Sequence, residues 1–159
     1  LRDDFCNGIA QLEKYNFTYD LLILPIHLPF AVNFVKRFPK QNFVIDHLAK
    51  PNFKANDFSE WERGISELAL HKNVYCKVSG MVTEADWKNW KAADFNYCLD
   101  VLVSNFGIDR LMFGSDWPVS LLAASYEEST AIVKNYFSKF SRQDQDKIWG
   151  ANAMKFYNL

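Results

Sequence analysis

Four short apolar runs, each closed by polar or turn-forming residues, constrain this chain more than any other feature. They are Leu21 to Leu24 within Asp20–His27, Phe43 to Ile45, Val74 to Val78 (interrupted by Lys77), and Leu111 to Phe113. Each has the length of a buried strand. They start at about residues 20, 43, 74 and 111, with helix-length segments between them. Strands alternating with helices imply parallel pairing and right-handed crossovers, hence an α/β fold. Neither a dinucleotide glycine fingerprint nor a phosphate-binding GxxxxGK[ST] loop occurs, which argues against a nucleotide-binding doubly wound sheet. A barrel with its active groups at the strand ends fits better.

The intervening segments carry helical signatures. Leu1 to Asn16 is amphipathic, with Phe5, Ile9 and Leu12 at helical spacing. Pro29 starts the next helix, Phe30, Phe34, Val35 and Phe38 mark its inward face, and Pro39 stops it. A third runs from about Asp57 to His71, with Trp61, Ile65, Leu68 and Ala69 inward. Thr83 is a candidate N-cap for a long helical region reaching Phe106, with Ala92 to Phe95 as a candidate break. Ser125 to Phe140 follows, with Ile132, Val133, Tyr136 and Phe137 inward. Ser141 then caps a last helix, Arg142 to Tyr157.

Hydrophobic residues at 49% and aromatics at 16% supply ample core material. A net charge of −1 recommends no nucleic-acid partner, and no apolar run is long enough for a membrane span. Cys6, Cys76 and Cys98 are too scattered for a disulfide framework or a zinc knuckle and suit a reducing, cytoplasmic compartment. With no repeat, low-complexity tract or linker, residues 1–159 read as one domain.

The polar residues at the strand ends are the candidates for chemistry. Asp116 closes the last strand, between Ser115 and Trp117. At the C-terminal mouth of a parallel strand a carboxylate can ligate a metal or act as general base, or it can cap the next turn. Ser115 lacks a Gly-x-Ser-x-Gly elbow and is expected to position Asp116 rather than attack. His47 closes the second strand; Asp46 should face the other way by alternation and is structural. His27 lies past the first strand, where substrate contact or helix packing would suit it. Glu84 and Asp86 favour a helix N-terminus. Asp109–Arg110 reads as a turn with a local ion pair.

Phe43 to Pro51, Val74 to Gly80 and Phe106 to Val119, in that order and spacing, resemble the amidohydrolase-related family. Within it they are most similar to the branch of sugar-acid lactonases and predicted metal-dependent hydrolases. Trp149 to Ala153 with Tyr157 resembles that family's C-terminal helix, so the likeness runs from about Asp20 to Leu159. The resemblance implies a TIM barrel of which this chain supplies four strands, similar to the fifth to eighth. The family's first-strand HxH pair is not here, and a (β/α)₈ barrel takes about 250 residues. The expectation is therefore the C-terminal half of a longer protein, its open sheet edges covered by the N-terminal half or by a second copy.

The resemblance further implies a hydrolase that opens a small cyclic ester, most simply a sugar-acid lactone, by activated-water attack. Asp116 and His47 would be catalytic, Asp116 taking the proton of the attacking water and His47 hydrogen-bonding the substrate carbonyl or donating a proton. Lys77 would pair with a substrate carboxylate or stabilise developing charge, or else be a solvated strand-end lysine. Trp117 would wall a sugar face, and His27 would touch substrate. Members similar to this branch include hydrolases assisted by one divalent metal, such as Zn or Mn, and metal-independent ones; Asp116 is this chain's candidate ligand. A non-catalytic half-barrel remnant and a decarboxylase or lyase on the same scaffold remain alternatives. The isolated 159-residue piece is expected to be inactive.

Overall fold

A computed structural model describes residues 2–159. Its centre is a four-stranded parallel sheet in the order β1 (Tyr19–Leu21), β2 (Phe43–Ile45), β3 (Val74–Val78) and β4 (Leu111–Phe113). The register pairs Asp20 with Val44, Val44 with Tyr75, and Lys77 with Met112. Alternation along the strands then sorts side chains onto two faces. Phe43, Ile45, Val74, Cys76, Val78 and Leu111 pack under α2 (Leu28–Arg37), α3 (Ser59–Ala69) and α5 (Asn96–Phe106) in the main core. On the opposite face Val44 and Met112 pack with Phe156, flanked by Tyr75 and Tyr157.

The alternation expected from sequence is therefore the architecture, a half barrel of four βα units, and several boundaries differ for identifiable reasons. The first strand stops at Leu21 instead of running to Leu24. Its one neighbour, β2, is three residues long and turns away after Ile45, so Leu22 onward has nothing to pair with. The first helix, α1, spans Asp3–Leu12 and tightens into a 3₁₀ turn that Asn16 ends in the left-handed region. Phe30 is exposed, and α2 instead buries Leu28, Ala31, Val32, Phe34 and Val35. The long region after β3 is a short helix, α4 (Met81–Glu84), then an irregular stretch, a 3₁₀ turn at Ala92–Phe95, and α5.

After β4, Ser125 caps α6 (Tyr126–Phe137) through a reciprocal capping box with Glu128. The last helical segment is α7 (Arg142–Asp146), a π-helical turn at Lys147–Ala151, and α8 (Asn152–Tyr157). Asn152 fixes that turn to the sheet by donating to the carbonyls of Ile108 and Leu111, both at 2.7 Å. Arg110 makes no pair with Asp109. It donates to the carbonyls of His71 and Val74 at 3.0 Å, while Asp109 pairs with Lys147. Among the described residues no helix is long and apolar enough to cross a membrane.

Helix α3 approaches α2 closely at Gly64, where an added Cβ would lie 2.6 Å from the Cβ of fully buried Leu28. A Cβ cannot swing aside, so the helices must separate. Gly64→Ala is expected to cost about 1–3 kcal/mol, the range for an overpacked core, read as a lower denaturant midpoint. An unchanged midpoint would mean that the two helices slide freely.

Candidate active site

The site is assembled at the C-terminal ends of three adjacent strands. His47 follows β2, Ser79 and Gly80 follow β3, and Asp116 follows β4. The chain after β2 takes an unusual course. His47, Leu48, Ala49 and Lys50 all have φ between 50° and 57°, a left-handed turn built without glycine. Each such residue costs roughly 1–2 kcal/mol, so the turn persists only because its surroundings hold it. Leu48 and Ala49 are completely buried. The Trp61 indole N–H donates to the Leu48 carbonyl at 2.6 Å, and Lys50 pairs with Glu84 of α4 at 2.9 Å.

This turn directs the His47 ring over the end of β3. Its Nδ1 lies 2.8 Å from Ser79 Oγ, and its Nε2 lies 3.6 Å from Asp116 Oδ1. Gly80, at φ 68°, leaves room for the ring, since a Cβ there would sit 2.9 Å from three atoms of His47. Asp116 is itself left-handed, at φ 56°, and is followed by a cis Trp117–Pro118 bond. Its other oxygen, Oδ2, accepts from the Thr83 hydroxyl at 2.8 Å; that hydroxyl is also 2.8 Å from the Gly80 carbonyl. The 3.6 Å gap between imidazole and carboxylate exceeds a direct hydrogen bond, so both can hold a third atom between them.

The sequence profile of the Amidohydrolase family matches residues 1–159. The chain belongs to the Amidohydrolase family. It is 40% identical over 166 aligned positions to an L-fucono-1,5-lactonase of Burkholderia multivorans, covering 98% of this chain and 56% of that one. It is 35% identical to an L-fucono-1,5-lactonase of Burkholderia ambifaria, with 96% and 53% covered. A crystal structure of a Burkholderia multivorans amidohydrolase with bound zinc superposes with a TM-score of 0.94 at 39% identity, over 99% of this chain and 58% of that one. This amidohydrolase chain thus spans a little over half the length of the relatives it matches.

Among the residues expected to form the site, the structure brings His47 and Asp116 together with Trp117 exposed beside Asp116, and places Lys77 and His27 in contacts of their own. Lys77 is held in a cluster of charged and polar groups. Its ammonium pairs with Asp20 at 2.5 Å and Asp46 at 2.7 Å, and Tyr157 closes the group by donating to Asp20 at 2.9 Å. Burial alone would lower the Lys77 pKa, but the hydrogen bonds to Asp20, Asp46 and Tyr157 outweigh it and raise it. His27 is exposed and accepts the Leu24 N–H on Nδ1 at 3.1 Å, a local turn contact. Trp117 is 64% exposed beside Asp116. The Ser115 hydroxyl accepts from the Trp117 N–H, so the hydroxyl that holds Asp116 is Thr83 and not Ser115. Glu84 pairs with Lys50, and Asp86 accepts from Lys88 and Asn89 in its own turn.

Two consequences follow for the amidohydrolase site. Lys77→Met leaves Asp20 and Asp46 facing each other without a cation. Their partial exposure softens that penalty, so a loss of about 1–3 kcal/mol is expected from the denaturant midpoint. Because the folded Lys77 pKa is raised, the alkaline limb of this stabilisation lies above the ordinary lysine value of 10.5: the lysine's contribution holds up to that pH and is lost as the pH rises further. A wild-type midpoint in the variant would mark the network as energetically idle.

A metal needs more donors than this segment brings together. A catalytic zinc takes three protein ligands and an open position. Among the described residues no group of three or more His, Cys, Asp or Glu is placed to hold a metal ion; His47 and Asp116 offer two donors. These residues do not by themselves fit a metal.

Proposed function

We propose that these residues form the catalytic half of a lactone hydrolase that opens a sugar-acid lactone, with Asp116 as general base and His47 as hydrogen-bond donor. The observation that carries this reading is the pairing of His47 Nε2 with Asp116 Oδ1, 3.6 Å apart at the strand mouths. The two lactonase relatives support the substrate class.

In this reading a water held by Asp116 attacks the lactone carbonyl carbon, and its proton passes to the carboxylate. The carbonyl oxygen gains negative charge and accepts from the His47 Nε2–H. Collapse of the tetrahedral intermediate breaks the ring C–O bond. Asp116 returns its proton to the departing ring oxygen, leaving a hydroxy acid and an unchanged enzyme. Thr83 keeps the carboxylate turned toward the water throughout. We infer that the exposed apolar residues beyond β1, Leu22, Leu24 and Ile26, lie against the remaining length of the barrel.

Ring opening releases a carboxylic acid, so the test is a pH-stat assay of the full-length protein on L-fucono-1,5-lactone and related sugar-acid lactones. Acceleration well above spontaneous opening is expected. No acceleration on any lactone, with carbon dioxide released from a carboxylated substrate instead, would overturn the reading in favour of a decarboxylase.

A further inference from the structure

We propose that Ser79 is a positioning residue that fixes the neutral His47 ring as its Nε2–H tautomer, so that the ring presents a donor, not a base, beside Asp116. The inference deepens the lactonase reading and rests on it for the chemical role, but the tautomer is observable without turnover.

Ser79 is only 4% exposed, and Nδ1 of His47 is the sole hydrogen-bond partner of its hydroxyl among the described residues. If Nδ1 carried the ring proton, it would donate to Ser79 Oγ and leave the hydroxyl proton buried without an acceptor. If Nδ1 is bare, the hydroxyl donates to it and every group is satisfied. The ring proton then sits on Nε2, the nitrogen that faces the Asp116 carboxylate. Both ends of the imidazole therefore favour the same tautomer.

The surroundings make Ser79 hard to move. A Cβ on Gly114 would lie 3.0 Å from Ser79 Cβ, so the backbone of the neighbouring strand end is packed against it. Gly114 also donates to the Val78 carbonyl at 3.2 Å, tying the two strand ends together. The ring lies close over Gly80, and the Lys50 N–H on the His47 carbonyl at 2.7 Å closes the turn that carries it. Flipping the ring would set a carbon against Ser79 Oγ and lose the bond. The result is a division of labour between adjacent groups: Asp116 accepts protons and His47 donates hydrogen bonds.

Imidazole ¹⁵N NMR of the full-length protein tests this directly, at a pH where the ring is neutral and with His47 assigned by the loss of its signals in His47→Gln. The expected result is a proton on Nε2 and a bare Nδ1 whose resonance shows an accepted hydrogen bond and moves in Ser79→Ala. A ring proton on Nδ1 in the wild type would overturn the proposal, and so would an Nδ1 resonance identical in wild type and Ser79→Ala. The wild-type measurement stands even if the variant fails to fold. In Ser79→Ala, kcat for lactone opening should fall roughly two- to thirteenfold, the equivalent of one net hydrogen bond, with KM little changed. A loss carried wholly by KM would overturn the positioning role. Failure of the wild type to open lactones would defeat the lactonase reading and leave the tautomer result standing.

Discussion

Asp116→Asn in the full-length protein is expected to lower kcat for lactone opening by roughly 10²–10⁴-fold, the usual contribution of a positioned general base. The substitution keeps the shape of the side chain and an oxygen that can still accept from the Thr83 hydroxyl, which bonds Asp116 at 2.8 Å. What it removes is the carboxylate beside the His47 ring, the group assigned to take a proton from water. The fold should therefore survive, with a denaturant midpoint near that of the wild type, and KM should change little. Activity retained within a few-fold of wild type would sink Asp116 as base and move attention to another carboxylate. A large fall in both midpoint and kcat would instead mark Asp116 as a structural residue of its left-handed turn.

Why Asp116 and His47 could be singled out from sequence, and their supports could not, is a matter of range. Both lie directly after short apolar runs, and a parallel α/β fold brings the C-terminal ends of its strands to one edge. Strand length and alternation therefore sufficed to bring them together. Thr83 and Ser79 also lie just beyond a strand, but their roles depend on contacts 33 and 32 residues away in the chain. Thr83 has the look of a helix cap, and its hydroxyl serves a carboxylate on the next strand instead. The Ser79–Gly80 pair after β3 was the available signal for the histidine's support, and it reads equally well as a plain strand stop.

Lys77 is a different case. Its position at a strand end was legible, but its partners were not. Asp20 lies 57 residues away and meets Lys77 only because the register of three strands sets Asp20, Val44 and Tyr75 in one row. The left-handed turn from His47 to Lys50 left no local trace either, because its residues are not the glycines or asparagines that favour that region. It is imposed by Trp61, by the Lys50–Glu84 pair and by burial of Leu48 and Ala49. Tertiary contacts that override local preference concentrate here at the histidine, as expected where a side chain must be held in one place.

Gly80→Ala should damage stability and chemistry together, and for separable reasons. At φ 68° an alanine pays the left-handed penalty, and its Cβ would lie 2.9 Å from the Cβ, Cγ and Nδ1 of His47. The ring cannot retreat without leaving Ser79 or straining a turn that is already left-handed at four residues. A loss of about 2–4 kcal/mol is expected from conformational strain and overpacking combined. A shift of His47 by about 1 Å should lower kcat roughly 10²-fold. Gly107→Ala is the control. Gly107 has φ 65° and ψ 171°, a region that is essentially reserved for glycine, yet an added Cβ there meets nothing within 4 Å. It should lose about 1–3 kcal/mol of stability from strain alone and keep its kcat. If Gly80→Ala behaves like Gly107→Ala, with the midpoint lowered and turnover intact, the close approach to His47 has no catalytic consequence. If kcat falls only at Gly80, the space under the imidazole is part of what makes the site work.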